Sequence, residues 1–232
     1  MKKIRRILII PARSGSKRIK NKNIKDFFGK PMIHYPLKIA IQSNIFDKIH
    51  VSTDSKKIKN VVEKVGNFVD FQRPKNLSKD NSSLISVLNY VISKYESEAV
   101  KFDEVWCILP CSPLLRTNDI IECQKLIKKY NNPVIAVSPF MAPISWSFQI
   151  KKNFIFRANE EKIRDKRLSK ISSYYDSGQI YCFPINILKK KQFSFKKKII
   201  THKLPSERSV DIDTVENWNF AKILYKGLLK QK

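Results

Sequence analysis

The residues best equipped for chemistry lie in one short stretch, Pro11-Ala12-Arg13-Ser14-Gly15-Ser16-Lys17-Arg18-Ile19-Lys20-Asn21-Lys22-Asn23-Ile24. It follows the apolar run Ile7-Leu8-Ile9-Ile10, which reads as a strand buried on both faces. An abrupt passage from buried strand to small, cationic loop is how α/β proteins turn backbone N–H groups and positive charge towards phosphates. Arg13, Lys17 and Lys22 would neutralise a polyphosphate. Gly15 would admit close backbone approach or a positive φ. Neither G-x-x-x-x-G-K-[ST] nor G-x-G-x-x-G occurs, so the two commonest phosphate fingerprints do not apply. Far along the chain, Asp211 and Asp213 are two residues apart on a segment that reads as extended, so their side chains share one face. Two carboxylates on one face suit Mg²⁺, a hard cation that binds phosphate oxygens as well. Asp213 with Glu216 also fits an acidic cap on the helix that follows.

The elements that must hold these residues alternate. A strand over about Ile4 to Ile10 is followed by the cationic loop. A helix then begins near Pro31, with Ile33, Leu37 and Ala40 or Ile41 at helical spacing. Phe46 to Ser52 reads as a strand ending in Ser52-Thr53-Asp54, and Lys56 to Val65 as a helix capped by Asp54 or Ser55 and stopped at Gly66. A short strand is expected at Phe68 to Phe71, and a helix from Ser82 carries Ile85, Leu88, Ile92 and Tyr95. Glu104 to Leu109 and Val134 to Val137 read as strands, with a helix capped by Thr117 between them. This alternation implies an α/β fold, a mostly parallel Rossmann-like sheet with helices on both faces. The rhythm breaks at 141–175, where Ser145 to Asn159 alternates like a hairpin with Lys151-Lys152-Asn153 at its tip. The apolar side chains there need a partner, so this excursion is expected to make a homodimer; the alternative is that it folds back over its own sheet. Strands are expected again at Ser173 to Phe183, Lys198 to His202 and Ser209 to Asp213. A closing helix over Thr214 to Leu228 places Trp218, Ala221, Tyr225 and Leu228 on one face.

At 232 residues the chain suits one domain, 1–232, with an appendage rather than two full domains. No apolar run is long enough to span a bilayer and no cleavable leader is recognisable, so no membrane role and a cytoplasmic location are expected. The net charge of +26 would by itself point to nucleic acid, but most of the lysines are scattered along the chain, so no nucleic-acid partner is expected. A basic nucleic-acid-binding protein remains the reading from a different class; it would explain the charge but not Asp211-x-Asp213. Cys107, Cys111, Cys123 and Cys182 form no C-x-x-C pair, and His34, His50 and His202 no H-E-x-x-H, which argues against structural zinc.

The stretch 11–24 closely resembles the signature P-A-R-x-G-S-K-x-I-x-x-K-N-I of the CMP-acylneuraminate (sialic acid) synthetases and related cytidylyltransferases. Further segments resemble the same family. Ser52-Thr53-Asp54 is similar to its V-S-T-D, Arg73-Pro74 to its R-P-x-x-L, and Leu109-Pro110-Cys111-Ser112-Pro113-Leu114-Leu115-Arg116 to its Q-P-T-S-P-L-R. Val210-Asp211-Ile212-Asp213-Thr214 is similar to its D-I-D-T metal site. Ser173-Tyr174-Tyr175-Asp176-Ser177-Gly178-Gln179-Ile180-Tyr181 resembles the Y-x-D-A-G-Q-x-Y of pseudaminic acid cytidylyltransferases more than the N-G-x-I-Y of the sialic acid enzymes. Leu109 stands where the sialic acid enzymes carry a Gln associated with the sugar site.

The resemblance implies transfer of CMP from CTP to the anomeric hydroxyl of a nine-carbon sugar acid, with pyrophosphate leaving. Pseudaminic acid is favoured over legionaminic and N-acetylneuraminic acids, and CMP-KDO synthesis is the related alternative. It implies Arg13 and Lys22 as catalytic, and Ala12, Arg13, Ser14, Gly15, Ser16, Lys17, Asn23, Asp54, Arg73 and Ser82 at the nucleotide. Leu109, Ser112, Arg116, Asp176 and Gln179 would meet the sugar, and Asp211 and Asp213 would hold Mg²⁺. The residues alone leave other roles open: Asp54 as a helix cap, Arg73 as a surface charge, Asp176 as a turn residue before Gly178.

Overall fold

A computed structural model describes residues 3–151, 154–157, 173–189 and 198–230. β1 (Arg6–Pro11) lies between β4 and β5 and is buried along its middle. Ile7, Leu8, Ile9 and Ile10 are all fully buried, and the strand's alternation sends them to opposite faces. The cationic loop leads through a short 3-10 turn at Lys22–Ile24 into a two-stranded ribbon of β2 (Asp26–Phe27) and β3 (Lys30–Pro31). The first helix, α1 (His34–Ser43), therefore starts after the expected proline. Pro31 is spent on the ribbon, and Pro36 lies in the first turn, where a missing N–H costs no helical bond.

β4 (Lys48–Ser52) follows, then α2 (Lys56–Glu63), whose amide at Ile58 donates to the Ser55 hydroxyl. Ser55, not Asp54, is the cap. The strand expected at 68–71 is absent. The Val51 amide donates to the Phe68 carbonyl at 2.6 Å and the Arg73 amide to Thr53 at 2.8 Å, so the chain touches the edge of β4 at separate points without forming a ladder. α3 (Leu84–Ser97) is capped by Ser83. β5 (Glu104–Ile108) leads to α4 (Thr117–Tyr130), where the expected Thr117 cap is replaced by Asp119, whose carboxylate accepts the Arg116 amide at 2.8 Å. β6 (Val134–Pro139) precedes the hairpin of β7 (Phe148–Lys151) and β8 (Phe154–Arg157), shorter than expected. Lys152 and Asn153 of its tip, the 158–172 part of the excursion and the lysines within 190–197 lie outside the described residues. β9 (Tyr174–Pro184), α5 (Ile185–Leu188), β10 (Ile200–Lys203) and α6 (Val215–Leu229) complete the order.

The main sheet runs β10-β6-β9-β5-β1-β4. β1 is parallel to β4 and β5, and β6 to β10; β9 lies antiparallel between β5 and β6. On one face Leu8, Ile10, Val51, Trp106 and Ile180 pack under Leu37 of α1, Val62 of α2 and Ile120 of α4. On the other Ile7, Ile9, Val105 and Cys107 meet Leu88, Val91, Ile92 and Tyr95 of α3 and Leu188 of α5. A third cluster joins Phe27 and Met32 of the ribbon region to Trp218 and Ala221 of α6. The register between β6 and β9 breaks between Ile135 and Val137, where Gly178 takes φ +64° and the Ser177 hydroxyl donates to Ala136 O at 2.9 Å.

Candidate active site

A cavity of about 650 Å³ opens beyond the carboxyl ends of β1 and β5, where open α/β sheets place their ligands. Its walls bring together Arg13, Gly15, Ser16, Lys17, Lys22 and Asn23 from the loop, Leu109 from the end of β5, Gln179 from β9, and Asp211 and Asp213 from the segment before α6. Residues far apart in the chain thus converge on one space.

The loop is held from beneath. The Ala12 amide donates to Ser52 O at 2.9 Å. Asp54 accepts from the Ser14 amide at 2.9 Å and the Ser14 hydroxyl at 2.6 Å, which answers the capping alternative: Asp54 ties the loop to β4. Burial would raise the Asp54 pKa, but the bonds from Ser14 hold it below the usual carboxylate range. Asn23 is buried; its Nδ2 donates to Arg13 O at 2.9 Å and its Oδ1 accepts the Cys111 thiol at 3.4 Å. Gly15 has no positive φ, and a Cβ there would meet no protein atom within 4 Å, so no protein contact demands glycine at this cavity wall.

The cations are arranged in two pairs, each bridged by one carboxylate. Arg13 Nη1 and Lys17 Nζ both lie 2.8 Å from Asp80. Lys22 Nζ lies 3.0 Å from Asp213 Oδ1 and donates to Ile212 O at 2.6 Å, while Arg18 Nη2 lies 2.7 Å from Asp213 Oδ2. Burial would raise the Asp213 pKa, but the Lys22 and Arg18 interactions hold it below the ordinary value. Asp211 behaves oppositely. Although open to the cavity, it is pushed up by desolvation and then by the neighbouring Asp213 charge. A carboxylate held at a disadvantage beside another is a place for a cation. Sequence reading missed Asp80 and Arg18; acidic side chains are scarce here, 20 against 46 basic, and a lone acid in the polar loop after Arg73 is the signal that could have found it.

The remaining expected site residues do not line the cavity. Ala12 is buried beneath the loop. Arg73 is only 6% exposed and is not a surface charge: Nε donates to the Ser52 hydroxyl at 3.1 Å and Nη2 to Ser52 O, and desolvation lowers its pKa to about 10. Ser82 donates to Asn76 O at 3.1 Å, away from the cavity wall. Ser112 is buried, and Arg116 lines a separate cleft with Tyr35, Leu115 and Tyr225. Asp176 accepts from the Gly178 amide at 2.9 Å and the Tyr181 hydroxyl at 3.0 Å, serving the turn as its alternative reading had it. The expected strand over Ser209 to Asp213 does not form, yet both aspartates reach the cavity.

Chemically, the arrangement offers a cationic loop for a polyphosphate, two carboxylates of different character, and an apolar wall at Leu109. The family model for cytidylyltransferases matches residues 7–220. A pseudaminic acid cytidylyltransferase of Campylobacter jejuni is 36% identical over 227 residues, covering 96% of this chain and 97% of that protein. A CMP-N,N'-diacetyllegionaminic acid synthase of Legionella pneumophila is 30% identical, covering 93% and 94%. Among solved structures, a CMP:2-keto-3-deoxy-manno-octonic acid synthetase complexed with CTP superposes with a TM-score of 0.72 at 18% identity, over 96% of this chain and 99% of that one, a likeness of fold. With the family model spanning both the cationic loop and the paired aspartates, the chain belongs to the cytidylyltransferase family.

Proposed function

We propose that this enzyme transfers CMP from CTP to the anomeric hydroxyl of a nonulosonic acid, and that the acid is pseudaminic acid. The observation that carries the proposal is the convergence of Arg13, Lys17 and Lys22 with Asp211 and Asp213 on one cavity. The sugar oxygen bonds to the α-phosphorus, the bond from that phosphorus to the bridging oxygen of the β-phosphate breaks, pyrophosphate leaves, and the hydroxyl proton passes to solvent or base. Charge builds on the phosphates, so positioned cations do most of the work. On binding, the triphosphate would exchange with Asp80 for Arg13 and Lys17. These pairs are solvent-exposed and screened by water and salt, so the exchange costs little.

The donor set fits Mg²⁺. That ion keeps waters and takes one or two carboxylates with the substrate's phosphates, and the described residues hold no cluster of three or more acidic, His or Cys ligands that a protein-only cage would need. Asp211, and Asp213 once its cations turn to phosphate, would hold it. When bound, it would neutralise phosphate charge.

Support for pseudaminic acid comes from the Campylobacter relative and from Leu109 in the cavity wall. Leu109→Gln is expected to shift preference, as the ratio of kcat/KM values, towards N-acetylneuraminate; an unchanged ratio would remove Leu109 from sugar selection. Support for a homodimer comes from the excursion, where Met141 is 92%, Trp146 66% and Phe148 53% exposed. Sedimentation over a concentration series is expected to show a dimer, and a monomer throughout would count against it. A cytoplasmic location is part of the same reading; among the described residues no helix is long and apolar enough to cross a membrane.

A further inference from the structure

The segment Arg208 to Asp213 carries both cavity aspartates, yet Ser209 to Asp213 belong to no strand or helix. Its backbone is suspended instead by side chains from other elements. Gln179 Nε2 donates to Arg208 O at 3.1 Å, the Tyr175 hydroxyl to Ser209 O at 3.1 Å, and Lys22 Nζ to Ile212 O at 2.6 Å. One end is anchored more firmly. The Arg208 guanidinium donates to both Asp119 oxygens, at 2.5 and 3.1 Å, and His202 Nε2 lies 3.2 Å from Asp119 Oδ1. The Asp119 and Arg208 side chains are 4% and 12% exposed, and neither residue lines the cavity. A buried carboxylate met by a two-pronged guanidinium is a geometric fix, because both partners are planar and directional.

We propose that Asp119 and Arg208 are positioning residues for Asp211: the anchor on α4 sets where the suspended segment crosses the cavity, and so where the Asp211 carboxylate meets a divalent cation. This rests on the reading of Asp211 as a cation-holding residue. The chain of contacts is continuous. Asp119 grips Arg208, the Arg208 carbonyl is gripped by Gln179 on β9, and the same backbone presents Asp211 at the cavity wall three residues on. Supports behind a metal-holding carboxylate govern metal affinity without touching the metal. A support that served folding alone would leave metal affinity unmoved.

The test uses the full chain and Mn²⁺ as probe. Binding of Mn²⁺ in the presence of CTP is read from loss of the free-ion paramagnetic resonance signal. Mg²⁺ activation of pyrophosphate release is measured beside it. Arg208→Lys keeps the charge and loses the fork. It is expected to weaken Mn²⁺ binding and raise the half-activating Mg²⁺ concentration by about tenfold, the lower end for loss of an outer-shell support, with the KM for CTP at saturating Mg²⁺ little changed. Tyr175→Phe removes only the hydroxyl on Ser209 O and is expected to move both quantities in the same direction by a smaller factor. If Arg208→Lys fails to fold, Asp119→Asn, which loosens the same grip from the other side, decides, and wild-type Mn²⁺ affinity there overturns the proposal. A folded Arg208→Lys with wild-type Mn²⁺ affinity overturns it as well. Asp211→Asn separates the two levels. If it leaves Mn²⁺ binding unchanged, the reading of Asp211 falls and takes this inference with it. If it weakens Mn²⁺ binding while Arg208→Lys does not, the positioning role alone falls. In the double variant, less than additive loss is expected, because one route is cut twice; additive losses would contradict action through Asp211.

Discussion

Lys22→Met separates a catalytic from a structural role most cleanly. The Lys22 side chain is 19% exposed, and Nζ makes two contacts, 2.6 Å to Ile212 O and 3.0 Å to Asp213. Methionine keeps most of the stem's length and packing. The Ile212 carbonyl loses its donor, a cost of about 1–2 kcal/mol. Asp213 is not orphaned: it keeps Arg18 at 2.7 Å and is 41% exposed, so the lost ion pair adds about 0–1 kcal/mol at most. At about 2–4 °C per kcal/mol for a chain this size, the melting temperature should fall by several degrees. If Lys22 stabilises charge on the transferring phosphate, turnover should fall by about 10²–10³, which is about 2.7–4 kcal/mol. Catalysis is then hit harder than folding. The assay is continuous pyrophosphate release at saturating CTP beside a thermal melt. Turnover within tenfold of wild type with the small melting shift would refute the catalytic role. A melting loss far above that range would make Lys22 chiefly a strut for the segment 209–213.

Arg13→Ala should cost about 10²–10³ in turnover by the same charge argument while the fold, read by circular dichroism, stays intact; near-normal turnover would take Arg13 out of the site. Gly178→Ala forces an L-residue to φ +64° and should lower stability by about 1–2 kcal/mol in a urea titration, with unchanged stability refuting the strain. The acid limb has a definite sign. Asp119 is driven up by burial, but its bonds from His202, Arg208 and the Arg116 amide outweigh that and leave its pKa below the unfolded value; Asp47, Asp54, Asp70 and Asp213 are shifted in the same direction. A carboxyl lowered on folding adds stability that is complete above its unfolded pKa, about 4, and is lost as pH falls through the folded value. Urea midpoints should therefore drop steeply below about pH 4, and a flat profile there would contradict the carboxylate pairing.

Local pattern carried a good deal of this fold. Ile7 to Ile10 announced a strand buried on both faces, the spacing of Leu88, Ile92 and Tyr95 announced α3, and Trp218 and Ala221 announced the buried face of α6. The loop 11–24 marked the cationic wall of the cavity. What was not legible depends on partners distant in sequence. Nothing in the composition of 174–184 says that it runs antiparallel between β5 and β6, because a strand's periodicity reports its faces and not its neighbours. Ser209 to Asp213 has strand-like alternation but no ladder. Its carbonyls are taken by Tyr175 and Lys22, 34 and 190 residues away. The Asp54 carboxylate, expected at the nucleotide or as a helix cap, accepts from Ser14, 40 residues upstream, and Ser55 caps α2. Arg73, expected at the nucleotide, is buried and donates to Ser52 at the end of β4, 21 residues upstream.

The most direct test of the central claim is pyrophosphate release from CTP and Mg²⁺, with pseudaminic, legionaminic and N-acetylneuraminic acids offered one at a time. Release is expected to require CTP, Mg²⁺ and a sugar acid together, to be fastest with pseudaminic acid, and to collapse in Arg13→Ala. No release with any of the three acids would contradict the account.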